Sequence, residues 1–358
     1  MPLVAPTDRG LWCEEGGFHI DPWSPVERAV ITHAHSDHAV PGSGRYLAAE
    51  GLAVLRARLG ESAAVTVAGY GTATVIGNVR VSFHPAGHIL GSAQVRLERV
   101  GASADGPAGE VWVVSGDYKT TPDCTCAAFE LVRCHTFITE STFGLPIYRW
   151  TPAEEVHEEI NAWWRGNRAM GRTSVVFAYP LGKAQRVLSG LDTSIGPIGA
   201  HGAVLRMNEA YTASGIKLPE TESATGDAAG PLRGVGLVIA PPSTSATVWL
   251  RKLAGPDGVA TAFVSGWMTV RGTRRRQHVD RGFVLSDHAD WPALLETIAA
   301  TGAERIGVTH GYSGALARWL AAKGRDAFVV PSRYSGETGE TPVRGAEGEQ
   351  EEPRLGSV

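Results

Sequence analysis

The residues Thr32-His33-Ala34-His35-Ser36-Asp37-His38 follow directly on the apolar run Ala29-Val-Ile, and their types and spacing suit metal chemistry. Imidazole nitrogens and carboxylate oxygens satisfy zinc. In an extended segment, residues two apart project to the same side, so His33 and His35 can meet one ion. As the chain turns out of the strand, Asp37 and His38 point elsewhere and can serve a second ion, the arrangement a two-metal hydrolase requires. Four polar groups crowded at a buried strand end would be costly without such a role.

Three more candidates stand at the ends of predicted strands, where a site on a sheet edge would collect them. They are Asp21 in Phe18-His-Ile-Asp-Pro22, His88 in Ala86-Gly-His-Ile-Leu-Gly-Ser92, and Asp117 in Ser115-Gly-Asp-Tyr-Lys119. Alone, each reads as an ordinary turn or cap residue; their order along the chain gives them weight.

The elements that must position these residues are legible as periodicity. Short β-branched runs dominate the first half: Ala29–Thr32, Val79–Phe83, Ala93–Leu97, Val111–Ser115 and Thr136–Thr139, with a hairpin connection over Gly101–Gly109 and a helix over Ala48–Leu59. From about Trp150 the texture changes to alternation of strand and helix. Helices are predicted over Ala153–Arg168, Leu181–Leu191 and Ser243–Leu253, and strands over Ser174–Tyr179, Val235–Ala240 and Ala260–Val264. That pattern reads as a small α/β domain with a partly parallel sheet. After Arg281 come a strand, a helix capped by Asp290 with Pro292 in its first turn, a strand Arg305–Thr309 and a helix Ser313–Lys323.

Composition bounds the function classes. The chain has 358 residues, 43% hydrophobic and 20% charged, enough for one or two globular domains. No run approaches the roughly 18 apolar residues of a membrane span, and Met1 to Trp12 lacks a basic and apolar leader pattern, so a cytoplasmic protein without membrane contact is expected. Four cysteines, Cys13, Cys124, Cys126 and Cys134, are too few for a disulfide framework. The net charge of −4 resides in Ser335 to Val358, with six Glu against two Arg, which reads as a disordered acidic tail over 332–358. Within the body, Arg271 to Arg281 holds five Arg and His278 against one Asp, a local field suited to phosphate.

The order Asp21, His33-x-His35-x-Asp37-His38, His88, Asp117 resembles the motif series of the metallo-β-lactamase superfamily. Thr139-Glu140-Ser-Thr-Phe-Gly144, Phe177 to Arg186, Ser286-Asp-His288 and Thr309-His310-Gly311 resemble the additional motifs of its β-CASP nuclease branch. Ile31 to Gly42, His84 to Val95 and Ser115 to Trp150 are similar to the bacterial DNA ligase-associated exonuclease family. The resemblance implies an α/β fold: an αββα four-layer sandwich from residues 1–150 and 275–331, with an inserted β-CASP cap domain over 151–274. It implies two divalent metal ions, Zn2+ expected with Mn2+ the alternative. His33, His35 and His88 would hold one, Asp37, His38 and His310 the other, with Asp117 bridging and Asp21 orienting a ligand histidine. His288, hydrogen-bonded to Glu140, would protonate the leaving oxygen, and Asp37, His288 and Glu140 form the catalytic set.

The implied activity is exonucleolytic hydrolysis of DNA through a dinuclear metal-activated hydroxide, in repair beside a DNA ligase and a helicase. His310 points instead to the RNA-processing branch, which makes RNA the alternative substrate. A thioesterase or lactonase would share the first metal motifs but would not need the inserted domain. For substrate binding, Lys183 and Arg186 at a strand-to-helix turn read as a phosphate cradle. Ser265 and Arg271 would add backbone contacts, and Trp267 either a stacking ring or a core residue.

Overall fold

The computed structural model describes residues 2–100, 109–245, 247–270 and 278–333. Its layering follows from where apolar side chains fall along short strands. In Val111–Val114 every residue is buried, because Trp112 and Val114 enter one core while Val111 and Val113 enter another. A strand whose alternate residues face two cores must lie inside a layered structure.

The first sheet runs in chain order: β1 (Ala5–Thr7), β2 (Gly10–Cys13), β3 (Phe18–Ile20), β4 (Arg28–Ile31), β5 (Arg45–Ala48) and β6 (Val65–Val67), antiparallel to β3 and parallel thereafter. Strands β7 (Ala73–Ile76), β8 (Val79–Pro85), β9 (Ala93–Arg99), β10 (Val111–Val114) and β11 (Thr136–Thr139) build the second sheet. It is completed on the far side of β11 by β18 (Arg305–Val308) and β19 (Asp326–Val329), so the chain leaves this sheet after β11 and returns to it in parallel. The excursion between forms a third, wholly parallel sheet from β12 (Thr173–Phe177), β13 (Ile198–Ala200), β14 (Glu222–Ser223), β15 (Leu237–Ala240), β16 (Val259–Val264) and β17 (Arg281–Phe283), in the order β14-β13-β15-β12-β16-β17.

Among the described residues the α-helices are α1 (Leu52–Leu59), α2 (Ala153–Ala169), α3 (Lys183–Ser189), α4 (Gly202–Ala213), α5 (Val248–Lys252), α6 (Trp291–Ala300) and α7 (Ser313–Ala322). Phe18, Ile20 and Val30 of the first sheet pack against Phe83, Val95, Leu97 and Trp112 of the second, one core between two sheets. On the outer face of the first sheet, Ile31 and Tyr46 meet Val54 and Leu55 of α1 and Met207 and Tyr211 of α4. On the outer face of the second, Phe137 and Ile306 meet Leu294 and Ile298 of α6 and Leu316 and Leu320 of α7. The order of layers is therefore helix, sheet, sheet, helix. Burial of both strand faces is the main stabilising term, about 25 cal/mol per Å² of apolar surface removed from water.

The predicted strands and helices fall close to observed ones, with informative differences. Helix α1 begins only at Leu52, because Gly51 takes a left-handed φ of 97° and separates it from β5. The stretch expected as one helix from Ser243 divides into a 3-10 turn, Pro242–Thr244, and the short α5. Helix α4 is absent from the sequence reading; its small residues blur the apolar period, and packing on α1 supplies its stability. The third sheet is fully rather than partly parallel, and β17 belongs to it, beyond the expected return at residue 275. Residues 101–108, the arginines from 271 to 276 and the acidic tail from 334 lie outside the described residues. No helix among the described residues is long and apolar enough to cross a membrane.

The inserted unit is tied to the sandwich by buried charge. Lys183 and Arg186 of α3 reach Asp287 at 2.8 and 3.1 Å; Arg186 Nε lies 3.6 Å from Asp123 Oδ2, and Lys119 bonds Asp123 in turn. Burial alone would raise the Asp123 carboxyl, but Lys119, the hydroxyl and amide of Thr125 and Arg186 outweigh it and hold it below the usual carboxylate range. A carboxyl depressed by folding contributes stability above its unfolded pKa of about 3.9 and loses it as pH falls toward the folded value. Asp123→Asn is therefore expected to lower stability at pH 7 by about 2–3 kcal/mol. The gap from wild type should close as pH drops below about 4, as read from denaturant unfolding at pH 7 and at acid pH. A gap independent of pH would contradict the assignment.

Candidate metal centre

Strand β4 ends at Ile31, and the loop behind it is fastened by one carboxylate. Asp21, itself at a left-handed φ of 44°, accepts the Thr32 backbone N–H at 2.8 Å and the Thr32 hydroxyl at 2.6 Å. Its Oδ2 also accepts from His38 Nδ1 at 2.7 Å. Because the Thr32 proton goes to Asp21, the Thr32 oxygen is left to accept from His33 Nδ1 at 3.0 Å. Both rings are thus anchored through Nδ1, and both turn Nε2 inward.

His35 and His88 are anchored from another direction. His35 Nε2 faces the Leu181 carbonyl at 3.1 Å, and His88 Nδ1 faces the Asp287 carbonyl at 2.7 Å. A carbonyl can only accept, so each facing nitrogen carries the proton and the other keeps a lone pair. Those lone-pair nitrogens converge: His35 Nδ1 lies 3.1 Å from both His33 Nε2 and His88 Nε2, and all three lie within 4.8 Å of one another. Tetrahedral ligands at a Zn–N distance of about 2.0–2.1 Å are about 3.3 Å apart, so the triangle has the size that one divalent ion requires. Three lone pairs pointed at one another repel unless a cation lies among them.

Asp117, at the end of β10, stands between this triangle and a second group. Its Oδ2 lies 3.6 Å from His33 Nε2, 3.9 Å from His88 Nε2 and 3.5 Å from His38 Nε2, while Oδ1 lies 3.3 Å from His310 Nδ1. The ligand atoms of His33, His35, His88 and Asp117 form one set within 4.8 Å, and those of His38, Asp117 and His310 another. His38 Nε2 is buried with no hydrogen-bond partner, an unsatisfied polar atom of the kind that metal coordination satisfies once its proton is displaced. The donor set therefore fits divalent ions. Asp37, more exposed than His38, reaches to 3.7 Å from His38 Nε2 but belongs to neither tight set.

Electrostatics divide the histidines. Burial pushes His33 and His88 well below the ordinary imidazole value, reinforced by the neighbouring rings. Burial also acts on His38, but Asp117, Asp37 and Asp21 outweigh it and hold its pKa well above the ordinary value. The Asp117 carboxyl would be raised by burial, yet His38, His288 and His310 keep it well below its ordinary value. Three carboxylates thus create a demand for positive charge beside His38, and a cation binding there displaces a proton.

Glu140 accepts the Tyr118 N–H at 2.7 Å, fixing the turn that carries Asp117, and meets His288 Nδ1 at 2.8 Å. The His288 ring lies 4.6 Å from that of His88. A cavity of about 270 Å³ opens beside it, lined by Trp150, Pro152, Glu154 and Asp290 among others.

The structure brings together His33, His35, His38, His88, Asp117, His310, Asp21, Glu140 and His288. The expected phosphate cradle differs. Lys183 and Arg186 are 1% and 5% exposed and engaged by Asp287, because α3 packs inward against the segment returning from the third sheet. Ser265 caps the turn Gly266–Thr269 by accepting from Trp267 N, and Trp267 packs 4.7 Å from Phe143 in an aromatic cluster. Arg271 lies outside the described residues. Thr32 and the carbonyls of Leu181 and Asp287 had no role in the sequence reading. Thr32 was legible beside His33, but a carbonyl carries no side-chain signal.

No family model matches the chain. Over 334 residues, 92% of its length, the chain is 32% identical to a protein of Opitutus terrae named probable DNA ligase, and it spans 31% of that relative. A solved structure of a protein of unknown function from Enterococcus faecalis covers 86% of this chain and 79% of its own, with a TM-score of 0.53 and 12% identity, a likeness of fold alone.

Two substitutions probe the anchoring. Asp21→Ala removes the acceptor of His38 and Thr32, and metal affinity by chelator competition is expected to fall ~10–100-fold. Gly116 has a φ of 56°, and a Cβ there would lie 2.6 Å from Thr32 Cβ. Gly116→Ala should cost at least about 1 kcal/mol in denaturant unfolding and weaken the same metal binding by displacing Thr32. Unchanged affinity in both variants would show that Asp21 and Thr32 do not orient ligands.

Proposed function

We propose that this protein is a metal-dependent phosphodiesterase that degrades DNA from an end. In this reading it has the metallo-β-lactamase four-layer sandwich, built from residues 1–150 and the segment after β17, with a β-CASP cap inserted between. The observation that carries the reading is Asp117 shared between two groups of histidine nitrogens whose other ring nitrogens are mostly anchored. The αββα layering and the discontinuous second sheet agree with it. The relative named probable DNA ligase supports DNA as the substrate and a ligase as partner; a helicase partner and a place in repair rest on the motif resemblance alone.

His33, His35, His88 and Asp117 would hold one ion, and Asp37, His38, His310 and Asp117 the other, Zn2+ in preference to Mn2+. Divalent ions bound there supply Lewis-acid activation of water and neutralise phosphate charge. The chain's own residues do the rest. Asp117 and the anchored rings fix the geometry before substrate arrives, so little reorganisation is needed. Hydrolysis adds the oxygen of water to phosphorus and breaks the bond to the leaving sugar oxygen. His288, held at Nδ1 by Glu140, gives its proton to that oxygen and regains one from the medium. Arg271 stays assigned to the substrate path; the burial of Lys183, Arg186 and Ser265 argues for supporting roles instead.

Incubation of the protein with single-stranded DNA and RNA, each labelled separately at the 5′ and 3′ ends and supplied with Zn2+ or Mn2+, tests this. Stepwise loss of DNA is expected, abolished by a chelator and at least about 100-fold slower in Asp37→Ala/His38→Ala. Preferential loss of RNA would make His310 the better guide and the protein an RNA-processing enzyme. Inertness toward both, with hydrolysis of thioesters or lactones, would overturn the nuclease.

A further inference from the structure

We infer that the buried charge lattice of Lys119, Asp123, Lys183, Arg186 and Asp287 is a latch through which the inserted unit sets the metal affinity of the His33, His35 and His88 triangle, with Lys183 and Asp287 as positioning residues. The inference rests on the metal-centre reading above.

Four of the metal-facing histidines, His33, His35, His38 and His88, divide by what holds them. His33 and His38 are oriented from within the first sheet, through Thr32 and Asp21. His35 and His88 take their acceptors from outside it: Leu181 O in the turn leading into α3, and Asp287 O in the segment that returns from the third sheet. Neither acceptor is rigid by virtue of a strand. Their positions are set together by Lys183, two residues after Leu181, whose Nζ meets the Asp287 carboxylate at 2.8 Å, and by Arg186, which bonds the Ser286 carbonyl and lies 3.1 Å from Asp287 Oδ1. Gly182 completes the seat: its φ is 90°, and a Cβ there would lie 2.2 Å from Ile89 Cγ2, beside His88.

Stability does not explain such a lattice. A buried ion pair contributes little net stability compared with well-packed apolar groups, so its retention points to specificity of position. Ordering of the inserted unit and ordering of two ligand rings thus become one equilibrium. Anything that lifts the turn at Leu181 lets His35 and His88 rotate away from their shared point, while Asp21 and Thr32 still hold His33 and His38.

The test uses the full chain with Zn2+ in chelator competition and Co2+ absorption as a report of ligand geometry. Lys183→Met and Asp287→Asn are each expected to weaken the tighter site ~10–100-fold and to reduce the tetrahedral Co2+ band. The double variant Lys183→Met/Asp287→Asn leaves the lattice with its wild-type net charge, so its stability should recover toward wild type while metal affinity stays low. That separation is what a merely structural role would not produce. Recovery of affinity together with stability in the double variant, or single variants binding within twofold of wild type, would overturn the latch. Wild-type protein that binds no divalent metal would instead overturn the metal-centre reading beneath it.

Discussion

Repulsion among imidazole lone pairs is the constraint on which the rest of the structure depends. Three nitrogens converge, His35 Nδ1 at 3.1 Å from each of the other two, while their partners across each ring are held by a hydroxyl and two carbonyls. None of the three rings can turn its proton inward without losing that anchor. A cation at its centre would relieve that repulsion, and the neighbouring group of His38 and His310 shares Asp117 with it. Folding pre-organises a charge demand, and the fold can be read as the means of holding it.

Each of the two packed sheets contributes one edge to that site. The first sheet delivers Asp21 and the loop from Thr32 to His38. The second delivers His88 after β8, Asp117 after β10, Glu140 after β11 and His310 after β18. All lie beyond strand ends, where the backbone leaves its ladder and side chains can converge. The parallel return of β18 beside β11 is what brings His310 to Asp117 across a separation of 193 residues. The inserted unit adds the Leu181 carbonyl, the Tyr179 ring 5.2 Å from that of His35 and the buried cations of α3, which help to orient two of the rings.

Much of this was legible in the sequence because the ligand residues sit in short, tightly spaced segments directly after strong strand signals. Alternation places the loop from His33 to His38, and His88 and Asp117, at strand ends; His88 and Asp117 gained weight only from the order of the motifs along the chain, since each alone reads as a turn or cap residue. What was not legible depends on contacts between distant segments. Lys183 and Arg186 read as a phosphate cradle because a basic helix start looks the same whether it faces solvent or an aspartate a hundred residues away. Helix α4 lacked a clean apolar stripe, and its identity is settled by packing on α1. Strand β17 is three residues long and follows a basic run, so its membership in the third sheet follows from pairing with β16 rather than from its own pattern.

Anomalous diffraction at the zinc edge, from crystals grown with Zn2+, tests the central claim most directly. The account expects two peaks flanking Asp117. One should lie about 2.0–2.1 Å from His33 Nε2, His35 Nδ1 and His88 Nε2, and the other at similar distance from His38 Nε2 and the ring of His310. Absence of density at the triangle, with its rings rotated into hydrogen bonds with one another or with water, would contradict it.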